Sequence, residues 1–145
     1  MKVVGNNTAR IDDRSIPPAV FAAPVAGRVS EFLKNRAQTE GIRLLLAIES
    51  GSRSWGLASR DSDYDVRFIF CREADQYLSL TKRLETYTYM VQTPPPVLDI
   101  AGSDIYHFYR LLLKSDSHHM EYIFNPLIYL DQLREREALR TILSA

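Results

Sequence analysis

Residues 49–70 read ESGSRSWGLASRDSDYDVRFIF, with a Gly-Ser pair at Gly51-Ser52 and two aspartates one residue apart, Asp63 and Asp65. Apolar runs flank the stretch. Upstream, Ile42-Arg43-Leu44-Leu45-Leu46-Ala47-Ile48 follows a glycine; downstream, Val66-Arg67-Phe68-Ile69-Phe70-Cys71 is rich in β-branched and aromatic residues. Both read as largely buried strands. Gly51 falls where the first strand ends, and a residue without Cβ lets the backbone turn there and approach a ligand closely. Exposed N–H groups in such a turn bind anions, and the Ser52 hydroxyl adds one more donor.

The aspartates supply the second half of the pattern. If residues 63–66 open a strand, the side chains at 63 and 65 point to one face. Carboxylates placed so closely repel and raise each other's pKa unless a cation lies between them. Mg²⁺ suits that position, because it prefers carboxylate and phosphate oxygens. Either half alone is also ordinary turn composition, since Asp and Ser bond their own backbone. Together, between two strands, they describe a phosphate cradle beside a metal site.

A strand, Gly51-Ser52, ten intervening residues and Asp63-Tyr64-Asp65-Val66 together resemble the signature of the polymerase-β-type nucleotidyltransferase superfamily. With Trp55-Gly56 and Ser62-Asp63-Tyr64-Asp65, the stretch is more closely similar to a bacterial and phage family of nucleotidyltransferases associated with RNA repair. The likeness continues through Tyr77-Leu78-Ser79-Leu80, Leu98-Asp99-Ile100, the run at 111–115 and Glu121. It implies an α+β fold: a small mixed β-sheet of the polymerase-β palm-like type with an N-terminal helix and C-terminal helices.

The same resemblance implies a mechanism. A third carboxylate joins the pair, and Asp99 in Pro96-Val97-Leu98-Asp99-Ile100 matches it; from composition alone Asp99 is a strand-end or turn residue. Asp63, Asp65 and Asp99 would be the catalytic and metal-binding set for two Mg²⁺ ions, with Mn²⁺ as a substitute. The reaction implied moves a nucleoside monophosphate from a nucleoside triphosphate to a hydroxyl on an RNA end or small substrate, releasing pyrophosphate. Two alternatives stand beside it: a minimal antitoxin-type enzyme that transfers AMP to a partner protein, and an inactive nucleotide-binding or interaction module. Family members generally continue into further helices that this chain is expected to lack, which fits a truncated relative, a domain fragment, or a protein whose cleft a partner or self-association completes.

Other residues near the motif carry open readings. Arg53 and Arg60 lie in the loop and either grip phosphate, for which the guanidinium fork is suited, or are solvated. Arg67 shares the face of the acidic pair and either pairs with Asp65 or reaches substrate. Trp55 is read as packing the loop against the sheet rather than stacking on a base. His118 and His119 are read as a helix-start pair without chemistry, because neighbouring histidines diverge and no ligand set completes them. Glu121 either lines the helical side of the site or is a surface charge.

At 145 residues, 46% hydrophobic and 25% charged, the composition is that of an ordinary globular chain with length for one core. A formal net charge of zero gives no global field for nucleic acid. The one cysteine, Cys71, excludes an internal disulfide and reads as a buried small hydrophobe. With no membrane-length apolar run or charged leader, a cytoplasmic location is expected.

Residues 1–16 are expected to be poorly ordered, and 17–145 to form a single nucleotidyltransferase domain. A helix is expected over 17–38, opened by Pro17-Pro18, with a third strand over 84–92 and a fourth around Asp99. Ser103 or Asp104 should cap a helix reaching Lys114, and Asp116 or Ser117 one reaching Phe124. A last, mostly solvated helix is expected over 131–143.

Overall fold

The computed structural model describes residues 23–59 and 62–145. The expected disorder of 1–16, the helix start at Pro17-Pro18, and Arg60 lie outside the described residues. The elements run α1 (Ala23–Glu40), β1 (Arg43–Ser50), β2 (Tyr64–Cys71), α2 (Ala74–Leu78), β3 (Thr86–Val91), β4 (Leu98–Asp104), α3 (Ile105–Leu112), α4 (Ser117–Phe124), β5 (Ile128–Asp131) and α5 (Arg136–Leu143). A 3-10 turn, Gly51–Arg53, follows β1 directly. The strands form one sheet in the order β3-β4-β2-β1-β5. Only β2 and β4 pair in parallel; the other neighbours are antiparallel, so the sheet is mixed, as expected.

The two strands around the motif are hydrophobic on both faces because helices cover both. Val25, Val29 and Leu33 recur every four residues along α1 and pack as one stripe on Val66, Phe68, Phe70, Leu98 and Ile100. Each such buried side chain contributes about 1.5–3 kcal/mol. On the opposite face Leu46, Ile48 and Ile69 meet Phe108 and Leu112 of α3, Tyr122 and Ile123 of α4, and Leu133. Phe68 lies over Gly102 of β4, its register partner, and a Cβ there would come within 2.6 Å of ring carbon Cε1. The absence of a side chain at 102 is thus what leaves room for the ring.

Helix starts follow the sequence signals. Asp104 caps α3 by accepting from the Tyr106 amide at 2.9 Å, and Asp116 caps α4 by accepting from the His119 amide at 3.1 Å; such caps contribute about 1 kcal/mol each. Two elements were not anticipated from the sequence, and one helix differs from expectation. The chain over 73–82 contains the one-turn helix α2. β5 adds an edge strand to β1, whose four residues are too short to show a period. The last helix begins at Arg136 rather than 131, and Arg136 is not solvated: only 3% exposed, it donates to the Asn125 carbonyl at 2.6 Å and the Asp131 carboxylate at 2.8 Å. No helix among the described residues is long and apolar enough to cross a membrane.

Candidate active site

The site forms where β1 ends and β2 and β4 begin, on the face that carries α3 and α4. Ser50 is the register partner of Asp65, and Asp65 of Asp99, which puts the three side by side across neighbouring strands. At the turn Gly51 has φ +68°, a left-handed conformation that favours glycine. A Cβ at 51 would collide with the Asp65 carboxylate, whose Cγ would lie 2.9 Å away. The Gly-Ser turn and the second aspartate are therefore in direct contact.

Arg67 settles the charge of the pair. Its Nη2 lies 2.9 Å from Asp99 Oδ2 and 3.5 Å from Asp65 Oδ1, while Nη1 donates to the carbonyls of Val66 and Asp99, each at 3.0 Å. Burial pushes the Asp65 carboxyl above its ordinary value; Arg67 opposes this, and the nearby charges of Asp99 and Asp63 add to it. Asp63, one residue before β2, is exposed and is not part of the cleft lining.

The other expected site residues divide. Ser52 is half-buried, and its carbonyl accepts from the Leu57 amide at 2.9 Å. Arg53 is engaged inward: its guanidinium lies 3.8 Å from the Tyr64 ring centroid, donates to the Ser62 carbonyl at 2.6 Å, and has Nε 3.9 Å from Glu49 Oε1. Trp55 does not pack against the sheet, because 72% of it is exposed at the lip of the cleft. That cleft, about 420 Å³, is also lined by Ser50, Gly51, Asp65, Arg67 and, from α4, His118 and Glu121. His119 turns away, with Nδ1 2.7 Å from Asp116 Oδ1 and its ring stacked on Tyr122.

Two carboxylates beside the motif carry more structure than the sequence showed. Glu121 accepts from the Ser50 and Ser54 hydroxyls, both at 3.0 Å, and from Asn125 Nδ2 at 3.3 Å, which ties α4 to the Gly-Ser turn. Glu49 is wholly buried on the α1 face, accepting from Tyr129 Oη at 2.6 Å and the Asp65 amide at 3.0 Å. Burial pushes its carboxyl up to about 7, against the lowering effect of those bonds and of Arg53. Tyr129 is also pushed up, by burial first and then by Glu49. A glutamate at the end of an apolar strand was the available signal, but its tyrosine partner lies in a strand the sequence did not mark.

The model of the RNA repair pathway DNA polymerase beta family matches residues 25–145. The chain belongs to that family. Among curated proteins it is similar to "Uncharacterized protein YcgL" of Bacillus subtilis (strain 168), 34% identical over 116 residues. The match covers 79% of this chain and 43% of that protein, so the chain spans less than half the length of its curated relative. No solved structure matches.

The polymerase-β kinship raises the question of metal fit. Among the described residues no three His, Cys, Asp or Glu side chains converge to enclose a cation. What converges is a carboxylate pair, Asp65 and Asp99, already sharing the Arg67 guanidinium, with the charge of Asp63 near Asp65. Of these Asp65 lines the cleft and Asp99 is partly exposed beside it; such all-oxygen donors suit Mg²⁺, which is commonly held by one or two carboxylates together with substrate phosphates. The residues therefore fit such an ion as a partner to substrate rather than as a closed cage.

Proposed function

We propose that this chain is a Mg²⁺-dependent nucleotidyltransferase that moves a nucleoside monophosphate from a nucleoside triphosphate to a hydroxyl acceptor and releases pyrophosphate. The observation that carries the proposal is the contact between the Gly51 turn and Asp65, with Asp65 beside Asp99 in register on parallel strands. Amides that open a 3-10 turn have no partner within it, so the turn can meet phosphate oxygens while the missing Cβ at 51 leaves Asp65 room. Asp63 and Asp65 would hold the donor side, and Asp99 the acceptor side. Arg67, between Asp65 and Asp99, keeps the two carboxylates oriented and offsets their repulsion. A bound divalent cation would neutralise phosphate charge and lower the pKa of the acceptor hydroxyl. Positioning and charge neutralisation then account for most of the rate.

The test incubates the purified chain with Mg²⁺, RNA and labelled ATP, CTP, GTP or UTP, following the label into RNA or protein. Transfer that disappears in both Asp65→Asn and Asp99→Asn supports the proposal. No transfer with any nucleotide in Mg²⁺ or Mn²⁺, or full activity in either variant, overturns it. Label on protein instead of RNA would assign a protein hydroxyl as acceptor.

A further inference from the structure

We infer that Trp55 and His118 form the nucleobase subsite of the cleft, with the base of the nucleoside triphosphate stacking on the indole; the inference rests on the nucleotidyltransferase reading of the same cleft. Trp55 lies on the loop after the Gly51 turn, four residues from the residue that contacts Asp65, so a triphosphate on the turn would bring its nucleoside end within reach of the indole. Exposing 72% of a tryptophan is costly for a residue that buries more apolar area than most. Among the described residues it stacks on no other ring, although both its neighbours in the cleft wall and the cleft itself are formed.

A second residue of the cleft lining is of the right kind. His118 is exposed in the first turn of α4 and lines the same cleft, whereas the adjacent His119 is held by Asp116 and Tyr122. The helix that presents His118 is tied to the Gly-Ser turn through Glu121, which bonds both Ser50 and Ser54. Those bonds hold α4 to the residue just before Trp55, close to the phosphate turn. A planar base entering the cleft gains aromatic stacking, which is tolerant of base identity because every base has a π-face. Apart from Gly51 the rest of the cleft lining is charged or hydroxylic, which leaves the indole as the large apolar surface for a base.

The chain has one tryptophan, so indole emission excited beyond the absorption of its tyrosines reports Trp55 alone. Titrating the intact chain in Mg²⁺ with ATP, UTP and inorganic tripolyphosphate, with calorimetry alongside, separates base from phosphate. Saturable quenching by both nucleotides and none by tripolyphosphate is expected. Trp55→Ala should bind ATP about tenfold more weakly, the loss of one base stack, with tripolyphosphate affinity unchanged and Trp55→Phe close to the parent. His118→Ala should weaken ATP by a smaller factor, again without touching tripolyphosphate. Calorimetric binding of ATP with unchanged emission, and parent-like affinity in Trp55→Ala, overturns the subsite and leaves the nucleotidyltransferase reading standing. No calorimetric binding of any nucleotide removes both.

Discussion

Glu49→Gln changes one atom in the polar layer beneath the carboxylates and should alter how stability depends on pH. The wild-type carboxyl titrates near 4.5 in an unfolded chain and at about 7 in the folded protein, chiefly because it is buried. Between those values the unfolded chain has released its proton while the folded chain retains it. Stability is therefore full below the lower value and declines as pH rises to the upper one, by about 3 kcal/mol in all. Gln cannot titrate. Its Oε1 can accept from the Asp65 amide as the carboxylate does, and its Nε2 can donate to Tyr129 Oη, which keeps a bond there with its direction reversed. The two proteins should then be within about 1 kcal/mol at acid pH, and the variant should gain about 3 kcal/mol on the wild type by mildly alkaline pH. Urea unfolding of both, in parallel across that range and without divalent cations, gives the difference directly and cancels the titrating groups not coupled to Glu49. Parallel pH profiles, or a wild type that gains on the variant as pH rises, would refute the reasoning.

Gly51→Ala should abolish nucleotide transfer at a stability cost of about 1–2 kcal/mol from the left-handed backbone, because the new Cβ displaces the Asp65 carboxylate; activity and urea midpoint on the same sample check both parts. Gly102→Ala should cost about 1–3 kcal/mol by forcing the buried Phe68 ring to move. Adding Phe68→Leu should recover part of that loss in a double-mutant cycle, and strict additivity would show that ring and glycine are not coupled. Arg136→Met should lower stability by about 2 kcal/mol by leaving the Asn125 carbonyl without its donor, whereas Arg134→Met, at an exposed position, should leave the unfolding midpoint nearly unchanged.

The local part of the fold was legible because its signals are local. The apolar runs around the motif gave β1 and β2, the stripe of Val25, Val29 and Leu33 gave α1, and Asp104 and Asp116 marked the starts of α3 and α4. β5 was not legible, since its four residues gain their strand geometry from pairing with β1. Arg136 misled for a related reason: in a run of alternating charges nothing distinguishes the arginine whose targets, Asn125 and Asp131, lie in other elements. At the site, the positions of Gly51, Asp65 and Asp99 follow from strand register once the strands are placed. The partners of Glu49 and Glu121 do not, because Tyr129 lies 80 residues away and Ser50 lies 71 residues away in sequence. Trp55 was misread because packing is the usual fate of a tryptophan, and only the fold shows that this loop offers it no wall.

The position of Arg67 bears on how a metal would be used. Two carboxylates side by side on neighbouring strands repel, and the fold offsets that repulsion with a guanidinium on the same face, two residues beyond Asp65. The chain can therefore hold the pair in place without a metal, and a divalent cation reaching it must share or displace the arginine's bonds to oxygen. That competition disfavours tight binding of Mg²⁺ alone, which already resists losing its water. A triphosphate changes the balance, because its oxygens add negative charge and further ligands on the cleft side and give Arg67 an alternative partner. On the proposed reading, metal and nucleotide should bind together much more strongly than either does alone, so coupling arises from charge: the carboxylates are compensated before substrate arrives and are free to take a metal only when substrate brings anionic oxygens with it.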